Sequence, residues 1–174
     1  MILQFLISLS VLMFACQSPL KANEPFKTVP HVDIERYMGE WFEIASFPQW
    51  FSRNCYNTTA NYSLRSDGRV DVLNKCHKGS PTGEIADAKG IARVVNTQTN
   101  AELKVSFFWP FSGKYWIIDL GDNYEYAVVS APSRDTLWIL SRSPQMDQAT
   151  LDGILERLKN VHKFDLSPLK YTRE

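Results

Sequence analysis

Cys55-Tyr56-Asn57-Thr58-Thr59-Ala60-Asn61-Tyr62-Ser63-Leu64 is the stretch that decides the fold class. Tyr56, Thr58, Ala60, Tyr62 and Leu64 alternate with Asn57, Thr59, Asn61 and Ser63, a period of two that turns one row of side chains inward and the other toward water. Ser66-Asp67-Gly68 then supplies the Asp-Gly signal of a tight hairpin, so Arg69 to about Cys76 is predicted to be the returning strand. The turn lies near the midpoint between Cys55 and Cys76, and a hairpin folded there sets the two cysteines almost opposite each other.

Segments of the same kind recur on both sides of this hairpin. Trp41 to Phe47 precedes it, closed by Pro48; Ile85 to Val95, Leu103 to Phe108, Lys114 to Leu120, Tyr124 to Ala131 and Thr136 to Arg142 follow. Pro110, Gly121-Asp122-Asn123 and Pro132-Ser133-Arg134-Asp135 punctuate them. With short connections, neighbours in sequence pair as an up-and-down meander. Such a meander leaves two raw edges unless its first and last strands meet, and eight strands close at a diameter that either fills with side chains or holds one small ligand. Polar residues such as Asn74 inside the strands favour the hollow alternative, because a buried polar group without a partner costs about 1 to 3 kcal/mol. After Pro144 the period changes. Leu151, Ile154, Leu155, Leu158 and Val161 fall three and four apart, which predicts one amphipathic helix over residues 147 to 161. The expected fold is therefore all-β: an eight-stranded antiparallel up-and-down barrel with one C-terminal α-helix packed on its wall.

Met1 to Ala15 is an apolar run too short to span a bilayer and placed where an export signal belongs. Phe14-Ala15-Cys16 resembles a bacterial lipobox, with Met13 where leucine is usual; cleavage before Cys16 would leave a lipidated cysteine at the head of the chain. Cleavage after Ala22 is the alternative, and would release a soluble periplasmic protein. Gln17, rather than Asp, follows the cysteine, which points a lipidated form to the outer membrane. Residues 16 to 32, with Pro19, Pro25 and Pro30, are predicted to be a tether, and residues 33 to 174 one domain beginning with a helical turn at Asp33 to Tyr37. In an exported chain the remaining pair, Cys55 and Cys76, reads as one disulfide, with two free thiols as the alternative.

Nineteen basic residues balance nineteen acidic ones, which speaks against nucleic acid and against an electrostatic hold on anionic surfaces. His31, His77 and His162 are scattered and no Cys-x-x-Cys spacing occurs, so no metal site is expected, and no cofactor either. Phosphate-binding and hydrolase motifs are missing from the sequence.

Gly39-Glu40-Trp41-Phe42-Glu43-Ile44-Ala45 resembles the opening signature of the lipocalin family, and more narrowly of its branch that holds bacterial lipocalins and apolipoprotein D. Cys55 to Leu64 with Val70 to Asn74, Leu103 to Phe108 with Pro110-Phe111, and Leu137 to Arg142 resemble later motifs of that branch in the same order. Tyr124 to Val129 takes the place of the second signature, with Asp122-Asn123-Tyr124 where Thr-Asp-Tyr is usual. The resemblance implies a calyx closed at one end by Gly39, Trp41 and Arg142, the guanidinium lying across the indole. It implies a fatty acid or lysophospholipid as cargo, no catalysis, and a wall formed by Tyr62, Asn74, Tyr115 and Trp138; strand alternation adds Phe107. Asn74 would orient a polar head. Two other readings stay open: an envelope protein whose outer surface binds partners, and an enzyme using Cys55 or Cys76 as a thiol. A homodimer also stays open.

Overall fold

The computed structural model describes residues 27–172; the export segment, Cys16 and the tether as far as residue 26 lie outside them. Among the described residues one antiparallel sheet contains β1 (Gly39–Ser46), β2 (Cys55–Leu64), β3 (Val70–Lys78), β4 (Ile85–Val94), β5 (Glu102–Phe108), β6 (Phe111–Leu120), β7 (Tyr126–Ser130), β8 (Leu137–Ser141) and β9 (Lys170–Tyr171). β2 to β8 pair in chain order, and β1 pairs with both β2 and β8, so the eight strands close into a barrel. One edge of β1 is shared: Gly39 to Phe42 lie against β2, and Ala45 and Ser46 against β9. β9 was not expected, since two residues are too few to display a period.

Strand ends differ from the reading of the sequence, two starts among them: β6 begins at Phe111, ahead of the expected Lys114, and β7 begins late. Tyr124 was expected to open the seventh strand, but its φ of +62° and its N–H bond to the Gly121 carbonyl (2.8 Å) put it in a turn, and β7 starts at Tyr126. At Pro110, expected as a break, β5 passes to β6 through the cis Trp109-Pro110 pair, with Phe108 and Phe111 directly opposite.

The barrel separates two apolar clusters. Inside are Trp41, Tyr62, Val70, Val72, Leu103, Ile117, Val129 and Leu140; outside, under the helix, are Ile118, Val128, Leu137 and Ile139. Alternation along β6, β7 and β8 makes this division, since neighbours such as Ile117 and Ile118 point to opposite faces. The helix α2 (Gln148–Asn160) starts at Asp147, whose carboxylate accepts the Thr150 N–H at 2.9 Å. It buries Leu151, Ile154 and Leu158, the last two completely; each contributes about 1.5 to 3 kcal/mol. Arg157 pins it to the wall by donating to Asp119 (2.7 Å) and to the Tyr126 hydroxyl (2.9 Å). Val161, read from the sequence as part of the buried stripe, follows the helix as its C-cap and is exposed.

At the other end α1 (Ile34–Tyr37), capped by Asp33, crosses beneath the barrel. The chain just before it also packs inward: Val29 and Val32 donate their N–H groups to the carbonyls of Ile117 and Thr99, and Val32 is fully buried. Among the described residues, both clusters, the floor and the closed sheet are built from residues 29–172.

Candidate functional site

The closed end of the barrel is assembled around Trp41, which is completely buried on β1 and donates its indole N–H to the Tyr37 carbonyl at 3.0 Å. Arg142, just past β8, lies over the indole with its guanidinium carbon 3.8 Å from the ring centroid. It also donates to the carbonyls of Glu40 and Arg36, each at 2.8 Å. Its donors are therefore directed at the backbone of the floor, and the cation–π contact adds about 0.5 to 2 kcal/mol. Gly39 makes room for this: its φ is +92°, and a Cβ there would stand 3.3 Å from Arg142 Nη1. The structure brings Gly39, Trp41 and Arg142 together in one contact set. Tyr124 completes the seal, accepting the Asp33 N–H at 2.8 Å beneath the Arg36 guanidinium.

Above the indole stands an aromatic stack that the sequence showed only in part. Tyr37 packs on Trp41 (centroids 5.0 Å apart) and on Tyr62 (5.8 Å). The Tyr115 hydroxyl bonds to those of Tyr37 (2.8 Å) and Tyr62 (3.1 Å). Burial drives all three phenols above their ordinary pKa, Tyr62 to about 12, so the trio is neutral across the physiological range and offers hydroxyls without charge. The structure places Tyr62 and Tyr115 in the floor of the cup. Tyr37 was missed as an interior residue; its only signal was membership of the helical turn at residues 33–37.

The upper half has a different lining. Ala60 pairs with Asn74, Asn74 with Ala88, and Val105 with Gly113. On β4 the row that buries Ala92 continues through Gly90, Ala88 and Ala86, so this wall consists of small residues. Ala92 near the floor is 6% exposed, whereas Ala88, on the same inward row, is exposed. Trp138 and Phe107 also face in and are half-buried against the inner cluster. Phe107 lies on Gly90, where a Cβ would come within 2.9 Å of its ring. Asn74 adds a single polar feature: its Oδ1 is buried and has no hydrogen-bond partner among the described residues. At the mouth, Cys55 and Cys76 form the disulfide, Cα atoms 5.4 Å apart, tying the start of β2 to the end of β3. Neither sulfur is then a free nucleophile. Among the described residues no cluster of His, Cys, Asp or Glu is arranged to hold a metal.

A profile of the lipocalin-like domain family matches residues 32–174, the whole of the barrel and its helix. The chain is a lipocalin. It is 39% identical to the outer membrane lipoprotein Blc of Vibrio cholerae over 98% of this chain and 97% of that one. It is 44% identical to the protein of the same name from Escherichia coli, over 94% and 90%, and 38% identical to mouse apolipoprotein D, over 68% and 65%. Among solved structures, insecticyanin from the tobacco hornworm superposes with a TM-score of 0.68 at 21% identity, covering 86% of this chain and 84% of that one; this likeness concerns the fold. Membership of this family implies binding of small hydrophobic ligands.

Proposed function

We propose that this lipocalin binds one fatty acid or lysophospholipid in the upper half of the barrel and stores or carries it at the bacterial cell envelope, as a carrier and not a catalyst. The observation that carries the reading is the inward wall of Ala60, Ala88 and Gly113, small residues standing above an aromatic floor, with Ala88 exposed and nothing within 4 Å of a Cβ at Gly113. An apolar chain fills such a space, and Trp138 and Phe107 give it broad contact. Asn74, with its unpartnered oxygen, would orient the polar head. The names of the bacterial relatives support attachment to the outer membrane through a lipidated Cys16; release after Ala22 is the alternative. An enzyme acting through a thiol is disfavoured by the Cys55–Cys76 disulfide.

Calorimetric titration of residues 27–174 with fatty acids and lysophospholipids of graded chain length tests this. Wild type is expected to bind one molecule, and Trp138→Ala to bind about tenfold more weakly with little loss of melting temperature. Asn74→Leu is expected to stabilise the empty protein by about 1 kcal/mol, by removing a buried oxygen without a partner, while weakening lysophospholipid binding. If no lipid in the series binds, the carrier reading fails; if an envelope protein then co-purifies with the domain, the partner-binding reading replaces it.

A further inference from the structure

We propose that the open end of the barrel docks on an anionic phospholipid bilayer, the tip of the β5–β6 hairpin entering the interface and a row of cations on the outer wall facing the headgroup phosphates. At that tip Phe108 is 77% exposed, Trp109 91% and Phe111 77%. Trp50 and Phe51, on the β1–β2 connection, and Ile85, the first residue of β4, are also exposed at the same mouth. Rings at this degree of exposure cost solubility, and aromatic residues with one wet and one apolar side suit the membrane interface.

The cations follow from strand register. Arg93 lies directly opposite Lys104, and Lys104 directly opposite Lys114, three like charges abreast on β4, β5 and β6. Opposed like charges destabilise a sheet, and no ion pair among the described residues relieves these three. The nearby acids are engaged elsewhere: Asp67 and Asp71 hold Arg65 and Arg69, and Glu102 accepts from Asn96. Beside this row runs an open groove of about 560 Å³ whose lining includes Lys89, Arg93, Lys104, the Arg65-paired Asp71, and Gly90 and Phe107 from the wall of the cup. Lys114 is three residues from Phe111, roughly 10 Å along the strand, so cations meet phosphates when the rings reach the acyl boundary. The neutral total charge of the sequence conceals this segregation, because composition is blind to register. A two-fold contact centred on this row would set cation against cation. The exposed rings and the three-cation row lie outside the inner apolar cluster, and only Gly90 and Phe107 are shared with the cup, so the variants below leave the ligand wall intact.

Sedimentation of residues 27–174 with vesicles tests it. Wild type is expected to pellet with phosphatidylglycerol-containing vesicles and not with phosphatidylcholine alone, and to be released by salt. Arg93→Glu with Lys104→Glu and Lys114→Glu is expected to lower partitioning by more than about tenfold, as is Trp109→Ser with Phe111→Ser, while both variants stay folded by circular dichroism. Failure of wild type to bind vesicles, equal binding to the neutral ones, or unchanged binding by the folded variants overturns the proposal. So does self-association, seen by sedimentation equilibrium, that the aromatic variant abolishes in place of vesicle binding; that result would make the face a dimer contact.

Discussion

Glu43, two residues beyond the plug indole, is held by the hydroxyls of Ser46 and Thr172, each at 2.9 Å. Burial raises its pKa above the ordinary 4.5, outweighing those two hydrogen bonds. A carboxyl with a raised folded pKa favours the fold in its protonated form: that contribution is complete below about pH 4.5 and is lost as pH climbs through the raised value. Glu43→Gln keeps an acceptor for both hydroxyls and removes the titration. Its melting temperature is therefore expected to exceed that of wild type at pH 7 and to match it near pH 4. Equal melting at both would show the carboxyl to be unperturbed. Single residues of this kind are the least legible in sequence. Glu43 showed no partner there, because Thr172 is remote in the chain, and Tyr37 gave no sign of the hydroxyl it shares with Tyr115. The plug was legible only because Gly39, Trp41 and Arg142 stand in motifs that could be matched by resemblance.

Elements were read more reliably, because their periods survive any distant contact. β2 runs from Cys55 to Leu64 as expected, but a bulge between Tyr56 and Thr59, where Asn57 takes a φ of +46°, breaks the predicted alternation and takes Tyr56 off the row of Ala60 and Tyr62; α2 follows the three-and-four spacing from its Asp147 cap. Errors fell at ends, where turn bonds such as that of Tyr124 override pattern, and at β9, which has none. Packing of α2 on the outside of the wall separates stability from binding. Leu158→Ala opens a cavity between helix and barrel and is expected to cost about 2 to 4 kcal/mol in chemical denaturation. Lipid affinity should be unchanged in the folded variant, since the side chain faces away from the cup. A parallel fall in affinity would mean that the helix shapes the interior.

The whole molecule is a cylinder that seals one end with stacked rings and lines the other with small side chains. Closure was foreseeable from eight meandering strands, but the change in lining with depth needed the register that sets Ala60, Asn74 and Ala88 side by side. If the upper half is vacant, a large ring placed there should occupy the ligand's space without disturbing the floor. Native mass spectrometry of wild type and Ala88→Trp, each mixed with a lysophospholipid, counts the bound molecules directly. One lipid on wild type and none on a variant that melts as high is the predicted result; no lipid on wild type, or one on both, contradicts the vacant calyx.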